Sequence, residues 1–148
     1  HYTSRQYYRG IIILNENKAI IQRWFEEIWN QGSEEAIDEL LAPEAILHGL
    51  EHPDSVGKTG PESFKPFFRA FRGAFPDMVI SLNEIVAEDD RVMVHFTATG
   101  SYKGNELGLV ASEKPIHVNG MCFARIQNGQ LVEGHNTIEL LNMTGNFS

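Results

Sequence analysis

The sequence predicts an α+β domain in which three helical stretches come first and about four long strands follow. Three observations carry this. Apolar residues recur at helical spacing as far as Phe75, and the period shortens to two after Pro76. Asn128-Gly129, a strong hairpin signal, separates the last two alternating runs. Helices followed by strands suit a sheet with helices packed on one face.

The 148-residue chain is 42% hydrophobic and 22% charged, within the range of one globular domain and outside that of disorder. A domain of this length buries roughly two-thirds of the surface its unfolded chain exposes, enough for a core without disulfides or structural metal. A single cysteine, Cys122, cannot form an internal disulfide, which points to a reducing, cytoplasmic setting. The formal charge of -8 argues against nucleic acid as a partner, because phosphate binding draws on clustered Lys and Arg. No run approaches the roughly 20 apolar residues of a membrane span, and Ile11-Ile12-Ile13-Leu14 is too short for a signal-peptide core. A soluble protein with no membrane partner is expected. Residues 1–14 read as an N-terminal extension and residues 15–148 as a single domain without repeat or linker.

The first clear element starts near Asn15, a residue suited to capping a helix, and runs through Ile20, Ile21, Trp24, Phe25, Ile28 and Trp29. Apolar residues at this spacing are ordinarily core, although Trp24 and Phe25 also suit a cavity wall. Gln31-Gly32 ends the helix. Ser33 with Glu34 and Glu35 starts a second, with carboxylates where the helix dipole favours them. Pro43 is expected to stop it, and the run 45–50, Ala-Ile-Leu-His-Gly-Leu, reads as a short extended segment before a polar loop. Thr59-Gly60-Pro61-Glu62 resembles a third helix start with a capping box. Phe64, Phe67, Phe68, Phe71 and Phe75 follow it as one large apolar face, which is expected to clamp over a sheet and to border a ligand space at its mouth.

Alternation then marks Met78 to Leu82 and Val92, Val94, Phe96 and Ala98, with Glu88-Asp89-Asp90 as a turn between them. The next strand carries Ile116, Val118, Gly120, Cys122, Ala124 and Ile126 on one face. The middle of that face is small, so it either closes by tight packing or leaves a cavity. The last strand sets Val132, Gly134, Asn136, Ile138 and Leu140 on one face, with Asn136 as its polar interruption. A buried amide left unpaired costs about 1–3 kcal/mol, so Asn136 is expected to bond to protein, water or ligand. His95, His117 and His135 fall on the opposite face. Adjacent strands could bring them together as a metal cluster, but such sets are ordinarily surface residues, and no metal is expected. Met93, Met121 and Phe123 on that face suit a subunit interface. Asn142-Met143-Thr144 and Asn146-Phe147-Ser148 match glycosylation acceptors, with nothing else to suggest secretion.

Asn30-Gln31-Gly32, Leu40-Leu41-Ala42-Pro43, Gly60-Pro61-Glu62-Ser63-Phe64, Ala74-Phe75-Pro76-Asp77, Val86 to Val92 and Gly129 to His135 follow one another in the chain. In this order they resemble the SnoaL-like polyketide cyclase family of the nuclear transport factor 2-like superfamily. The resemblance spans about Lys18 to Leu141. It implies a cone-shaped fold in which a curved antiparallel sheet and three N-terminal helices enclose a deep apolar pocket, often in a homodimer. The ligand it implies is an apolar, carbonyl-containing, polyketide-like small molecule, closed into a ring by an aldol reaction in which one Asp moves protons without metal or cofactor.

Counted along the final strand, the position of that Asp matches Asn136, and a pocket His of the best-known cyclases falls at Cys122. An Asn amide does not titrate near neutral pH, so Asn136 suits orienting a carbonyl or enol oxygen. His48 follows the second helix, where related sequences often carry a pocket His, and imidazole suits proton transfer near neutrality. The expected polar pair is therefore His48 and Asn136, with Trp24, Phe68, Phe96, Cys122 and Ile138 as the ligand-binding wall. Two functions follow: a cofactor-independent cyclase or isomerase using acid-base catalysis, or a non-catalytic small-molecule-binding module.

Overall fold

The structure, a computed structural model, describes residues 3–103 and 115–139. Helix α1 (Ser4–Arg23) runs into a wider π-helical segment (Trp24–Asn30), followed by α2 (Glu34–Leu40), β1 (Leu41–His48), a 3-10 turn (Pro53–Ser55), α3 (Gly60–Ala74), β2 (Val79–Glu88), β3 (Arg91–Ser101), β4 (Pro115–Gln127) and β5 (Gln130–Ile138). The strands form one five-stranded sheet in the order β1-β5-β4-β3-β2. This is the α+β class that the sequence predicts. The expected strand residue Leu140 and both glycosylation matches lie outside the described residues.

Helix α1 begins eleven residues before Asn15, within the stretch read as an extension. Thr3 caps it through a reciprocal capping box, its hydroxyl accepting from Gln6 N while the Gln6 side chain accepts from Thr3 N. Tyr7, Tyr8 and Ile12 are exposed on this first part, so no buried stripe announces it. Further on, the π-helical turn brings Trp24, Phe25, Ile28 and Trp29 all into the core. Asn30 then ties this segment to the edge strand β2. Its Nδ2 donates to Ile80 O at 2.9 Å, and its Oδ1 accepts from Ile80 N at 2.7 Å. An edge strand's open backbone groups are thereby paired.

Ser33 caps α2 by accepting from Ala36 N. The helix ends at Leu40, before Pro43, which lies inside β1 rather than at the helix stop. A proline is tolerated there because β1 is an edge strand, and its pairing with β5 slips between Leu41 and Ile46. β1 runs parallel to β5, so the expected antiparallel sheet is a mixed one; the other four strands pair antiparallel as expected. Alternation shows where a strand lies but not its neighbour's direction. The capping box expected at Thr59 is absent, since the Thr59 hydroxyl donates to Pro43 O instead and holds the start of α3 to β1.

The β2–β3 and β4–β5 connections are two-residue hairpin turns. Asn128 and Gly129 both have positive φ, 53° and 76°, the geometry of a type I′ turn. In the core, Trp24 packs on Phe64 with ring centroids 5.0 Å apart. Trp29 is surrounded by the α3 rings Phe64, Phe67, Phe68 and Phe71 in edge-to-face contacts of 5.4–6.4 Å. Aromatic edges meeting aromatic faces favour this arrangement. Among the described residues, no helix is long and apolar enough to cross a membrane.

Candidate ligand pocket

A cavity of about 680 Å³, including its opening to solvent, lies between the helices and the inner sheet face. The π-helical segment contributes Phe25 and Trp29, and α3 contributes Phe67 and Phe71, with Phe75 just beyond it. Strands supply the far wall: Ile80 from β2, Phe96 and Ala98 from β3, Ile116 and Val118 from β4, and Asn136 and Ile138 from β5. Asn136 and Thr99 are the only polar side chains on the wall among the described residues, and no Asp, Glu, His, Lys, Arg, Cys or Tyr is on it. Such a surface selects for shape and apolar area, with few groups to orient a ligand.

Of the candidate wall residues, the structure brings Phe96, Asn136 and Ile138 to the cavity. Trp24 and Phe68 are placed elsewhere, buried at 4% and 3% exposure within the aromatic cluster. Their neighbours Trp29, Phe67 and Phe71 take their place. A helical stripe identifies which residues turn inward, but the depth at which the core ends and the cavity begins depends on where α3 lies.

Cys122 is also core, 4% exposed and off the cavity wall. Burial pushes its thiol up to about 12, so it remains protonated and unreactive. The small middle of β4 has a more specific cause than either expected alternative. Gly120 pairs directly with Phe96, and a Cβ added at Gly120 would lie 2.3 Å from the Phe96 ring. The glycine makes room for an aromatic ring folded across it. Phe96 also meets Phe25, with centroids 5.4 Å apart.

Asn136 faces the cavity from a position directly opposite Cys122 in the β4–β5 ladder. Its Nδ2 donates to the backbone carbonyl of His48 at 3.3 Å. Among the described residues its side chain forms no further hydrogen bond, which leaves one amide hydrogen and Oδ1 for a ligand. Gly49 makes this approach possible, because it has φ of 85° and a Cβ there would meet Asn136 O at 2.4 Å.

His48 meets Asn136 only through that carbonyl. In the parallel ladder His48 pairs with His135, so both imidazoles lie on the outer face of the sheet. The rings stack 4.2 Å apart at 14°, and His48 Nε2 lies 3.3 Å from Glu133 Oε2. The expected polar pair is thus split by the sheet, with Asn136 inside and the His48 ring outside. The register that pairs His48 with His135 is what turns the ring outward, and nothing in the local sequence specifies it. His95 and His117 are separated along their ladder, paired with Met121 and Thr99 respectively, and do not gather with His135.

A curved sheet whose inner face and covering helices enclose an apolar cavity defines a class of small-molecule-pocket domains. The SnoaL-like polyketide cyclase family model matches residues 19–145, and the chain belongs to that family. Among solved structures, it is similar to a candidate SnoaL-like polyketide cyclase from Jannaschia sp. CCS1, with a TM-score of 0.77 and 24% identity over 89% of this chain and 91% of that one. It is also similar to IdmH, a candidate polyketide cyclase from Streptomyces antibioticus, with a TM-score of 0.73 and 23% identity over 86% and 95% of the two chains. AclR, a candidate hydroxylase from Streptomyces galilaeus, matches with a TM-score of 0.73 and 20% identity over 88% and 93%. At these identities the likeness concerns the fold. No curated protein matches the chain.

Proposed function

We propose that the cavity binds an apolar, carbonyl-containing small molecule of polyketide type, and that Asn136 orients an oxygen of this ligand rather than moving a proton. One observation carries this reading: Asn136 is the one side-chain amide on a wall that also carries the Thr99 hydroxyl and holds no titratable side chain among the described residues. Its remaining amide hydrogen suits a carbonyl oxygen, and its Oδ1 suits an enol or phenol hydroxyl. Trp29 and Phe96 supply the stacking surface.

A second reading is supported by the family match: the same cavity also promotes ring closure. With no general base on the described wall, the acceleration comes from holding a flexible chain in a reactive pose, for which effective molarities of about 10⁵ to 10⁸ M are attainable. Membership also supports a homodimer formed through the outer sheet face, where Met93 and Met121 are 42% and 45% exposed. Light scattering at twice the chain mass would bear this out, and a monomer would refute it.

A panel of aromatic and linear polyketides, titrated while tryptophan fluorescence is followed, tests the binding reading. Saturable quenching is expected, weakened about tenfold by Asn136→Leu, which removes the polar anchor but keeps the volume. Equal binding by Asn136→Leu would overturn the orienting role. Product analysis of the same mixtures separates a binding module from a cyclase.

A further inference from the structure

The outer face of the sheet carries a side-chain cluster that the pocket does not use. His48, Glu133 and His135 each present one ligand atom, and these atoms lie within 4.8 Å of one another. The backbone fixes this grouping. His48 and His135 are directly paired in the parallel β1–β5 ladder, and Glu133 stands two residues before His135, on the same face.

We propose that His48, Glu133 and His135 form a binding site for a divalent transition-metal ion of the zinc class. Two imidazoles and one carboxylate are a donor set that zinc accepts, and they leave a fourth position for water. Tetrahedral ligation needs donor atoms about 3.3 Å apart. His48 Nε2 and Glu133 Oε2 already stand at 3.3 Å, and His135 Nε2 lies 3.9 Å from Glu133 Oε1. The side chains of His48, Glu133 and His135 are 44%, 38% and 53% exposed. Exposed in the single chain, they are able to swing inward from the 4.8 Å over which the ligand atoms now spread, and the cluster lies at the β1–β5 end of the sheet rather than on β3 and β4, which carry Met93 and Met121.

One cation competes. Arg125 Nε lies 3.9 Å from Glu133 Oε1. That guanidinium is also held by both carboxylate oxygens of Asp90, at 3.2 and 3.3 Å, and so it leaves Glu133 Oε2 to the histidine side. The two imidazoles stack 4.2 Å apart at 14°, so binding one ion requires the rings to tilt out of the stack until both in-plane lone pairs meet at the metal. The site lies on the opposite side of the sheet from Asn136, so it is independent of the pocket ligand.

Calorimetric titration of the untagged full chain with Zn²⁺ alone tests the proposal. One ion per chain is expected, with affinity reduced at least about tenfold in His135→Ala and in Glu133→Gln. Glu133→Gln keeps the shape and a hydrogen bond to His48 while removing the anionic donor. His95→Ala and His117→Ala, on the same face but outside the cluster, are expected to bind as the unaltered protein does. Zn²⁺ should also raise the melting temperature of the unaltered protein and not that of His135→Ala. Absence of saturable binding, unchanged affinity in both cluster variants, or equal loss in the His95 and His117 variants would overturn the site.

Discussion

Asn136 commits one amide hydrogen to the His48 carbonyl at 3.3 Å, and this decides what its replacement does. Asn136→Asp sets a carboxylate against that carbonyl, with lone pairs facing lone pairs, so the new carboxyl is expected to titrate above the ordinary carboxylate range. A raised acid in the folded state holds its proton longer than in the unfolded chain. Stability relative to the unaltered protein should therefore fall as pH rises above about 4, the unfolded value, which melting curves at acidic and mildly alkaline pH can check. If the family's acid/base mechanism is latent in the scaffold, this variant also gains turnover. Gly120→Ala is expected to force the Phe96 ring into the cavity and weaken ligand binding at least tenfold, as measured by the same fluorescence titration (about 1.4 kcal/mol per decade). Cys122 should resist thiol reagents in the folded protein and react on unfolding, a difference read directly by mass spectrometry. Alternation along β5 sufficed to place Asn136 and Ile138 inward. It could not place the His48 ring, because the side a residue faces depends on the register of the strand beside it.

Among the elements, the π-helical segment and β1 position the pocket, and neither was legible as such. Trp24 and Trp29 both belong to the apolar stripe, yet only Trp29 reaches the cavity, while Trp24 is buried against Phe64. Asn30 belongs to a motif that reads as a helix end, whereas its structural work is to pair both backbone groups of Ile80 on the edge of the sheet. Asn30→Ala leaves those groups to water and frees the π-helical segment. A loss of about 1–3 kcal/mol is expected, seen as a lower denaturant midpoint. The Asn128-Gly129 hairpin was legible at once, since its left-handed geometry depends on two adjacent residues alone. The N-terminal part of α1 was not, because its exposed Tyr and Ile residues follow no buried stripe.

Across the whole molecule, paired carboxylates set the response to acid. A backbone hydrogen bond from Ser101 holds Asp77 below the usual carboxylate range. Arg23 does the same for Glu27 and Glu39 through side-chain hydrogen bonds, and Arg69 does so for Glu34. Each folded value lies below its unfolded value, so the stability they add is present above about pH 4 and is lost as pH falls through the folded values. Melting temperature is expected to fall gradually below about pH 4, and Asp77→Asn should flatten that fall. Most of these pairs are solvent-exposed, which keeps each contribution small.

The α+β class, the helical stretches, the four antiparallel strands after Pro76, the main hairpin and the family were determined by the sequence alone, whereas strand β1 between α2 and α3 was not. The former depend on periodicity or on residues adjacent in the chain. The tertiary structure decided the parallel docking of β1, the exclusion of Trp24, Phe68 and Cys122 from the cavity, and the meeting of His48 with Glu133 and His135. These follow from contacts between segments distant in the chain, where strand direction and packing depth, rather than local pattern, choose which side chains share a space.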